Sequence, residues 1–249
     1  MIPIRDNIPS RTYPIVNLTL IGLNVLAFFY ELALGPGFSR LVQELGVVPA
    51  YYFHSGYQDA LGHVTLFTWG DRFIPLFTSM FLHGGWFHIL GNMLYLYIFG
   101  DNVEDRVGHL RYLVFYLLCG LLASFAHIVT NASSTMPSIG ASGAVAGVLG
   151  AYLMLYPGAR VVVLVPIFFL LHFMEVPAVL FLGLWFLYQF LSGGLSLGME
   201  TAQTGGIAWW AHIGGFIAGA VLIWLFRKPG YRRPVRDTRW ASRYPRHRF

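Results

Sequence analysis

The chain is 249 residues long, with 56% hydrophobic and 11% charged residues. One domain can occupy that length, but a soluble domain carries roughly a quarter charged residues, so the composition excludes an ordinary soluble core and points to a membrane protein. The net charge of +5 is local: nine of the 16 Lys and Arg residues lie between Arg227 and Arg248, opposed there by Asp237 alone.

In chain order, residues 1–15 read as a short cytoplasmic N-terminal segment. Arg5, Asp6 and Arg11 interrupt it, and no short apolar core leads to a small-residue cleavage site, so it is not a cleavable signal peptide. Residues 16–226 contain six apolar segments, about Val16–Leu34, Leu76–Phe99, Leu110–Thr130, Ser142–Tyr156, Val176–Leu191 and Ile207–Phe226. A crossing needs about 20 apolar residues, so the fourth and fifth are short. Val161–Phe173 is apolar but interrupted by Pro166, and reads as an interfacial or re-entrant piece, with a seventh span as the alternative. Gly35–Pro75 forms a long first loop whose Gly, Pro and aromatic residues suggest a partly embedded structure beside the helices. Residues 227–249 are a basic tail placed directly after an apolar span. That position favours anionic lipid on the cytoplasmic side over nucleic acid as its partner. Six spans then put both termini in the cytoplasm, with a prokaryotic plasma membrane as the expected location. The fold class expected is an all-α polytopic membrane protein, a six-helix bundle.

Three segments carry polar residues with chemical potential. Ser142 lies in Gly140-Ala141-Ser142-Gly143 at the start of the short fourth helix. Glycines permit close approach of another backbone, and unpaired N–H groups at a helix start favour a developing oxyanion. Serine is equally a preferred helix cap. His212 lies inside the sixth segment, where an ionisable residue is costly and suggests function; helix packing is the alternative. Gly215 and Gly219 continue its face at i+3 and i+7, and Ser142, Ala146 and Gly150 form a matching small-residue face on the fourth segment. Two such faces can bring Ser142 and His212 within hydrogen-bond reach. His88 and Asn92 share a face of the second segment and suit either an oxyanion site or a polar packing network. His83, five residues before His88, is off that face. At about 1.5 Å per residue, Ser142, His212 and the His83–Asn92 stretch fall at similar depths.

No metal or other cofactor is expected. Cys119 is the single cysteine and reads as a small core residue, so neither an intrachain disulfide nor a cysteine zinc site is available. The chain also lacks a His-Glu-x-x-His helix.

Taken together, His83-Gly84-Gly85-Trp86-Phe87-His88 with Asn92, Gly140-Ala141-Ser142-Gly143, Ala211-His212-Ile213-Gly214-Gly215 and the acidic stretch Phe99–Arg106 resemble the rhomboid family of intramembrane serine proteases in order and spacing. The resemblance implies a Ser142–His212 dyad without aspartate. His88, Asn92 and the Ser142 backbone N–H would hold the oxyanion. His83, Gly140, Gly143 and Gly215 would support the site, and the substrates would be transmembrane proteins. Some members carry a tyrosine four residues after the serine; here that position is Ala146, so the group orienting His212 must come from elsewhere. The Trp-Arg pair that some members have in the first loop has no clear counterpart in Trp69-Gly70-Asp71-Arg72. The competing readings are an inactive relative that binds transmembrane clients, and a solute transporter. The absence of Asp and Glu from the fourth and sixth segments argues against the transporter.

Overall fold

The structure, a computed structural model, describes residues 1–58, 63–167, 170–196 and 207–228. It opens with a strand, β1 (Ile2–Asp6), and then helix α1 (Ile15–Leu34). Pro14 precedes α1 and offers no side-chain cap. The cap comes from a distant residue: the backbone N–H groups of Val16 and Asn17 donate to the Glu104 carboxylate at 3.0 and 2.7 Å. Two orphan donors of the first turn are thereby satisfied, with a negative charge at the positive end of the helix dipole.

The first loop has secondary structure of its own. After a turn at Gly35–Gly37 come helix α2 (Phe38–Leu45), a hairpin of β2 (Gly56–Gln58) with β3 (Val64–Leu66), and helix α3 (Trp69–Thr78). A capping box starts α3: the Thr68 N–H donates to Asp71, and the Asp71 N–H donates back to the Thr68 hydroxyl. Arg72 donates to the carbonyl oxygens of Tyr51 and His54 at 2.8 and 2.9 Å, tying α3 to the rest of the loop.

The second apolar segment is not one continuous helix. Residues 69–81 and helix α4 (Trp86–Val107) meet at 78°, with His83-Gly84-Gly85 at the break. Helix α4 also runs past Phe99, so the acidic stretch through Arg106 is its last two turns and not a turn following it. There Glu104 caps α1, and Asp105 accepts from the Thr12 hydroxyl at 2.8 Å. Helix α5 (His109–Thr130) follows at once. Leu110, Val114, Leu118, Leu122, Phe125 and Val129 leave an exposed apolar stripe along α5, while Tyr112, Phe115, Tyr116 and Cys119 are buried on its other side. Apolar on both faces, α5 is a helix for lipid outside and protein inside.

Helix α6 (Ser142–Leu155) is central, and every residue from Gly143 to Tyr152 is buried. Its 14 residues make it too short to cross a bilayer core alone. Residues 161–167 and 170–173 form no helical seventh span. They belong to an antiparallel hairpin, β4 (Arg160–Ile167) with β5 (Leu170–Pro177), and β1 adds to the β4 edge. The β-branched run Val161-Val162-Val163 suits a strand. Pairing with β1 supplies backbone partners that a lone apolar loop would lack. Helix α7 (Ala178–Ser196) extends the fifth segment to 19 residues, and α8 (Trp209–Phe226) is the sixth. The chain is thus a mostly helical, multi-pass membrane protein. The tail beyond Lys228 and residues 197–206, between the fifth and sixth segments, lie outside the described residues.

Candidate active site

Ser142 is the first residue of α6, and the chain leading to it is fixed on both sides. Val47 and Ser138 exchange backbone hydrogen bonds at 2.9 and 2.8 Å, joining the first loop to this segment. The Gly140 N–H donates to the Ser79 carbonyl oxygen at 2.8 Å. Gly140 has a φ of 130°, which side chains rarely adopt, and a Cβ there would meet His88 Nε2 at 2.6 Å. The glycine therefore admits the His88 ring beside Ser142.

His212 is in the first turn of α8, and glycine backbone contacts bring that helix onto α6. A Cβ at Gly215 would collide with the Gly143 carbonyl oxygen, and one at Gly219 with the Gly147 backbone. The α6 face against α8 is thus Gly143, Gly147 and Gly150: the expected Gly150 is on it, while Ser142 and Ala146 give way to the residue that follows each. A one-residue offset turns a helix face by about 100°. Ser142 and Ala146 instead face the adjoining cavity. His212 still reaches the serine from the side, with Nε2 at 2.8 Å from Ser142 Oγ. Its other nitrogen, Nδ1, lies 2.8 Å from Gln189 Oε1 on α7. The Trp185 and Trp209 rings flank the imidazole, with centroids 6.1 and 6.4 Å away.

A cavity of about 700 Å³ opens beside this pair. Ser142, His88, Asn92, Gln189 and His212 line it together, and no Asp or Glu does so among the described residues. Asn92 is buried, and its Nδ2 has no hydrogen-bond partner. A buried unpaired donor is uncommon and calls for an explanation; here it borders the space beside Ser142. His83 stands behind His88, ring centroids 5.1 Å apart, and its backbone N–H donates to the buried Glu31 carboxylate. It fixes the break before α4 and is not among the cavity-lining residues. A second cavity of about 30 Å³ lies behind Ser142, bounded by Ser124, His127 and Ser138 among others. That is room for roughly one water. Among the described residues, no group of three or more His, Cys, Asp or Glu side chains could hold a metal ion.

The sequence reading missed Gln189, Trp185 and Trp209. Gln189 carried a usable signal as a lone carboxamide in an apolar span, where polar groups need partners. What it could not reveal was the partner, since the rotation of α7 about its axis depends on packing.

Chemically, the arrangement offers a hydroxyl beside an imidazole, donors without acceptors, and a mainly apolar cavity able to take an extended chain. The comparisons with known proteins bear on the family. Residues 70–229 match the model of the Rhomboid domain. RHOMBOID-like protein 5 of Arabidopsis thaliana is 37% identical over 84 residues, covering 34% of this chain and 27% of that protein. Rhomboid-like protein 11, chloroplastic, of the same plant is 31% identical over 160 residues, covering 61% of this chain and 51% of its own length. Rhomboid protein 1, mitochondrial, of Saccharomyces cerevisiae is 26% identical over 175 residues, covering 69% and 47%. The chain thus spans about half or less of the length of these relatives. A match through most of the membrane helices, from α3 to the end of α8, means that this chain belongs to the rhomboid family.

Proposed function

We propose that the chain is an intramembrane serine endopeptidase that hydrolyses peptide bonds in or near the transmembrane segments of other proteins. The observation that carries this reading is the 2.8 Å contact between Ser142 Oγ and His212 Nε2, at the wall of a cavity large enough for a peptide. In the reaction proposed, the Ser142 hydroxyl attacks the scissile carbonyl while His212 takes its proton. The negative charge that develops on the carbonyl oxygen is met by the Ser142 backbone N–H, His88 and the unpaired Nδ2 of Asn92. His212 then returns the proton to the leaving amine, and water repeats the sequence on the acyl-enzyme. Neither step uses a metal, so activity is expected to survive chelators. A helical substrate must unwind locally to present its carbonyl, and Gly or other small residues near the cut make that easier.

In the same proposal residues 16–226 form the membrane domain. The segment 1–15 and the tail 227–249 lie on the cytoplasmic side, with the tail against anionic lipid. Two of the relatives carry organellar names, which lends the expected prokaryotic plasma membrane no support; the proposal therefore concerns topology and not a particular membrane.

The test is cleavage of a model transmembrane substrate in liposomes by the wild type, Ser142→Ala and His212→Ala. Both variants are expected to lose at least about 10³-fold in kcat. A fluorophosphonate probe is expected to label Ser142, and to fail in both variants. Undiminished cleavage by Ser142→Ala rejects the mechanism. Binding of transmembrane clients without turnover by the wild type would favour the inactive-relative reading.

A further inference from the structure

We infer that Gln189 is the positioning residue of the dyad: its carboxamide oxygen fixes the tautomer and ring orientation of His212, filling from α7 the place that Ala146 leaves empty on α6. The inference rests on the protease reading above, which makes Ser142 the proton donor to His212.

Helix α7 has an outward apolar side and a buried side of Ala178, Phe181, Leu182, Gln189 and Gly193, on which Gln189 is the polar residue. Leu184, Leu187, Tyr188, Phe190 and Leu191 are all exposed, whereas Gln189 is 6% exposed. A carboxamide buried in an apolar helix is costly unless it is hydrogen-bonded. Gln189 meets that requirement at one specific atom, with Oε1 2.8 Å from His212 Nδ1. A carbonyl oxygen only accepts, so Nδ1 must carry the hydrogen. Nε2 then turns a lone pair toward Ser142 Oγ, 2.8 Å away, and can receive its proton. The opposite tautomer would point an N–H at the serine and leave two acceptors facing each other at Nδ1. When His212 becomes an imidazolium, the bond to Oε1 becomes charge-assisted and therefore stronger.

Trp185 lies one turn earlier on the same helix, and its ring is tilted 36° to the imidazole. It closes one side of the ring while Gln189 holds the edge. Helix α7 thus does what a triad carboxylate does for geometry and tautomer, using a neutral group suited to a low-dielectric site. One consequence is that the nucleophile, the base and the orienting group sit on three different helices, so activity depends on α7 being docked.

The test compares kcat, KM and the pH profile of the full-length wild type, Gln189→Met and Gln189→Glu on the model substrate in liposomes, with Ser142→Ala as the reference. Methionine keeps length and bulk without a strong acceptor. It is expected to lower kcat about 10-fold, the worth of one hydrogen bond, with KM little changed. Glutamate keeps an acceptor, is expected to restore kcat at alkaline pH, and moves the acid limb upward by about one pH unit. A residue that merely packed α7 would change stability and leave the pH profile in place. Nitrogen NMR of the ¹⁵N-histidine wild type reads the tautomer directly, with the signals assigned by their loss in His212→Ala. A protonated Nδ1 and bare Nε2 are expected, and this measurement stands even if Gln189→Met does not fold. Wild-type kcat and pH profile in Gln189→Met, or a protonated Nε2, overturn the inference while the protease reading survives. Cleavage by Ser142→Ala overturns both.

Discussion

At the C-terminal end of α6, the Tyr152 hydroxyl donates to the Asp6 carboxylate, and the Tyr156 hydroxyl donates to the Asn102 carbonyl oxygen at 3.2 Å. Asn102 Nδ2 adds a second donor to Asp6 at 3.1 Å, and nearby Glu104 accepts from Val16, Asn17 and His109. The N-terminal end has the opposite balance. Beside Ser142, the Nδ2 of Asn92 has no acceptor, the His83 ring nitrogens behind His88 have no partner, and no carboxylate lines the cavity among the described residues. One end holds carboxyl groups that its donors already satisfy; the other holds a donor with no carboxyl group beside it. Buried donors left unpaired cost stability, and the unpaired Asn92 donor stands at the cavity wall with Ser142. In the proposed reaction the paired end is structural, and the unpaired donor meets the substrate oxygen.

That contrast breaks most visibly at Asn92. Asn92→Ala is expected to lower kcat by about 10²–10³-fold. Its melting temperature should be unchanged or slightly raised, because an unpaired buried donor has been removed. A fall in melting temperature with kcat preserved would show that Asn92 belongs to the structural class. Gly215→Ala comes next. Its Cβ runs into the Gly143 carbonyl oxygen, and overpacking of this kind costs about 1–3 kcal/mol. Because the same contact sets the distance between Ser142 and His212, stability and fluorophosphonate labelling should fall together. Glu104→Ala removes the acceptor for the first turn of α1, worth about 1–2 kcal/mol by analogy with helix capping. Thermal unfolding in detergent should register that loss, while kcat of the folded fraction stays at the wild-type value. Were Glu104→Ala to reduce kcat as strongly as Asn92→Ala, the two ends of α6 could not be assigned separate tasks.

The parts that were legible in sequence were those carried by local composition. Apolar runs marked the helices, and the Gly-flanked Ser142, His212 and the His88–Asn92 pair marked the polar layer. The errors came where distant partners decide local form. The strand form of residues 161–167 was not foreseen because one of its two partners, Ile2–Asp6, lies far away in sequence. Leu76–Phe99 looked continuous because an apolar pattern does not register a bend at His83-Gly84-Gly85. Glu104 gave no sign that it caps α1, because the N–H groups of Val16 and Asn17 that it accepts from lie far away in sequence. The α6 face was misjudged at Ser142 and Ala146, though not at Gly150, because glycine, alanine and serine are all small. Only the backbone collisions at Gly215 and Gly219 separate a face that packs from a face that opens on a cavity.

The prediction that reaches catalysis least, and the sharpest for the paired end, is the pH dependence of stability contributed by Asp6. Burial raises its carboxyl to about 7 from an ordinary 3.8, against the opposing hydrogen bond from Tyr152. In the unfolded chain the group titrates near its ordinary value. Between about pH 4 and 7 the folded protein therefore keeps a proton that the unfolded chain has released. Raising the pH through that window favours unfolding. The contribution of Asp6 is complete below about pH 4, is lost as pH rises through about 7, and is level above it. The slope is at most about 1.4 kcal/mol per pH unit for one group. Asp6→Asn has nothing to titrate, so the difference in melting temperature between wild type and variant should change steadily across this window and stop changing above it. The absolute stability of the variant is a separate matter, because the amide also alters the bonds to Tyr152 and Asn102; the pH dependence of the difference is what isolates the carboxyl. A difference that does not vary with pH would mean that Asp6 is already ionised throughout, held by its donors as an ordinary anion. The paired end of α6 would then be stabilised by charge-assisted hydrogen bonds from Tyr152 and Asn102 in place of a shared proton.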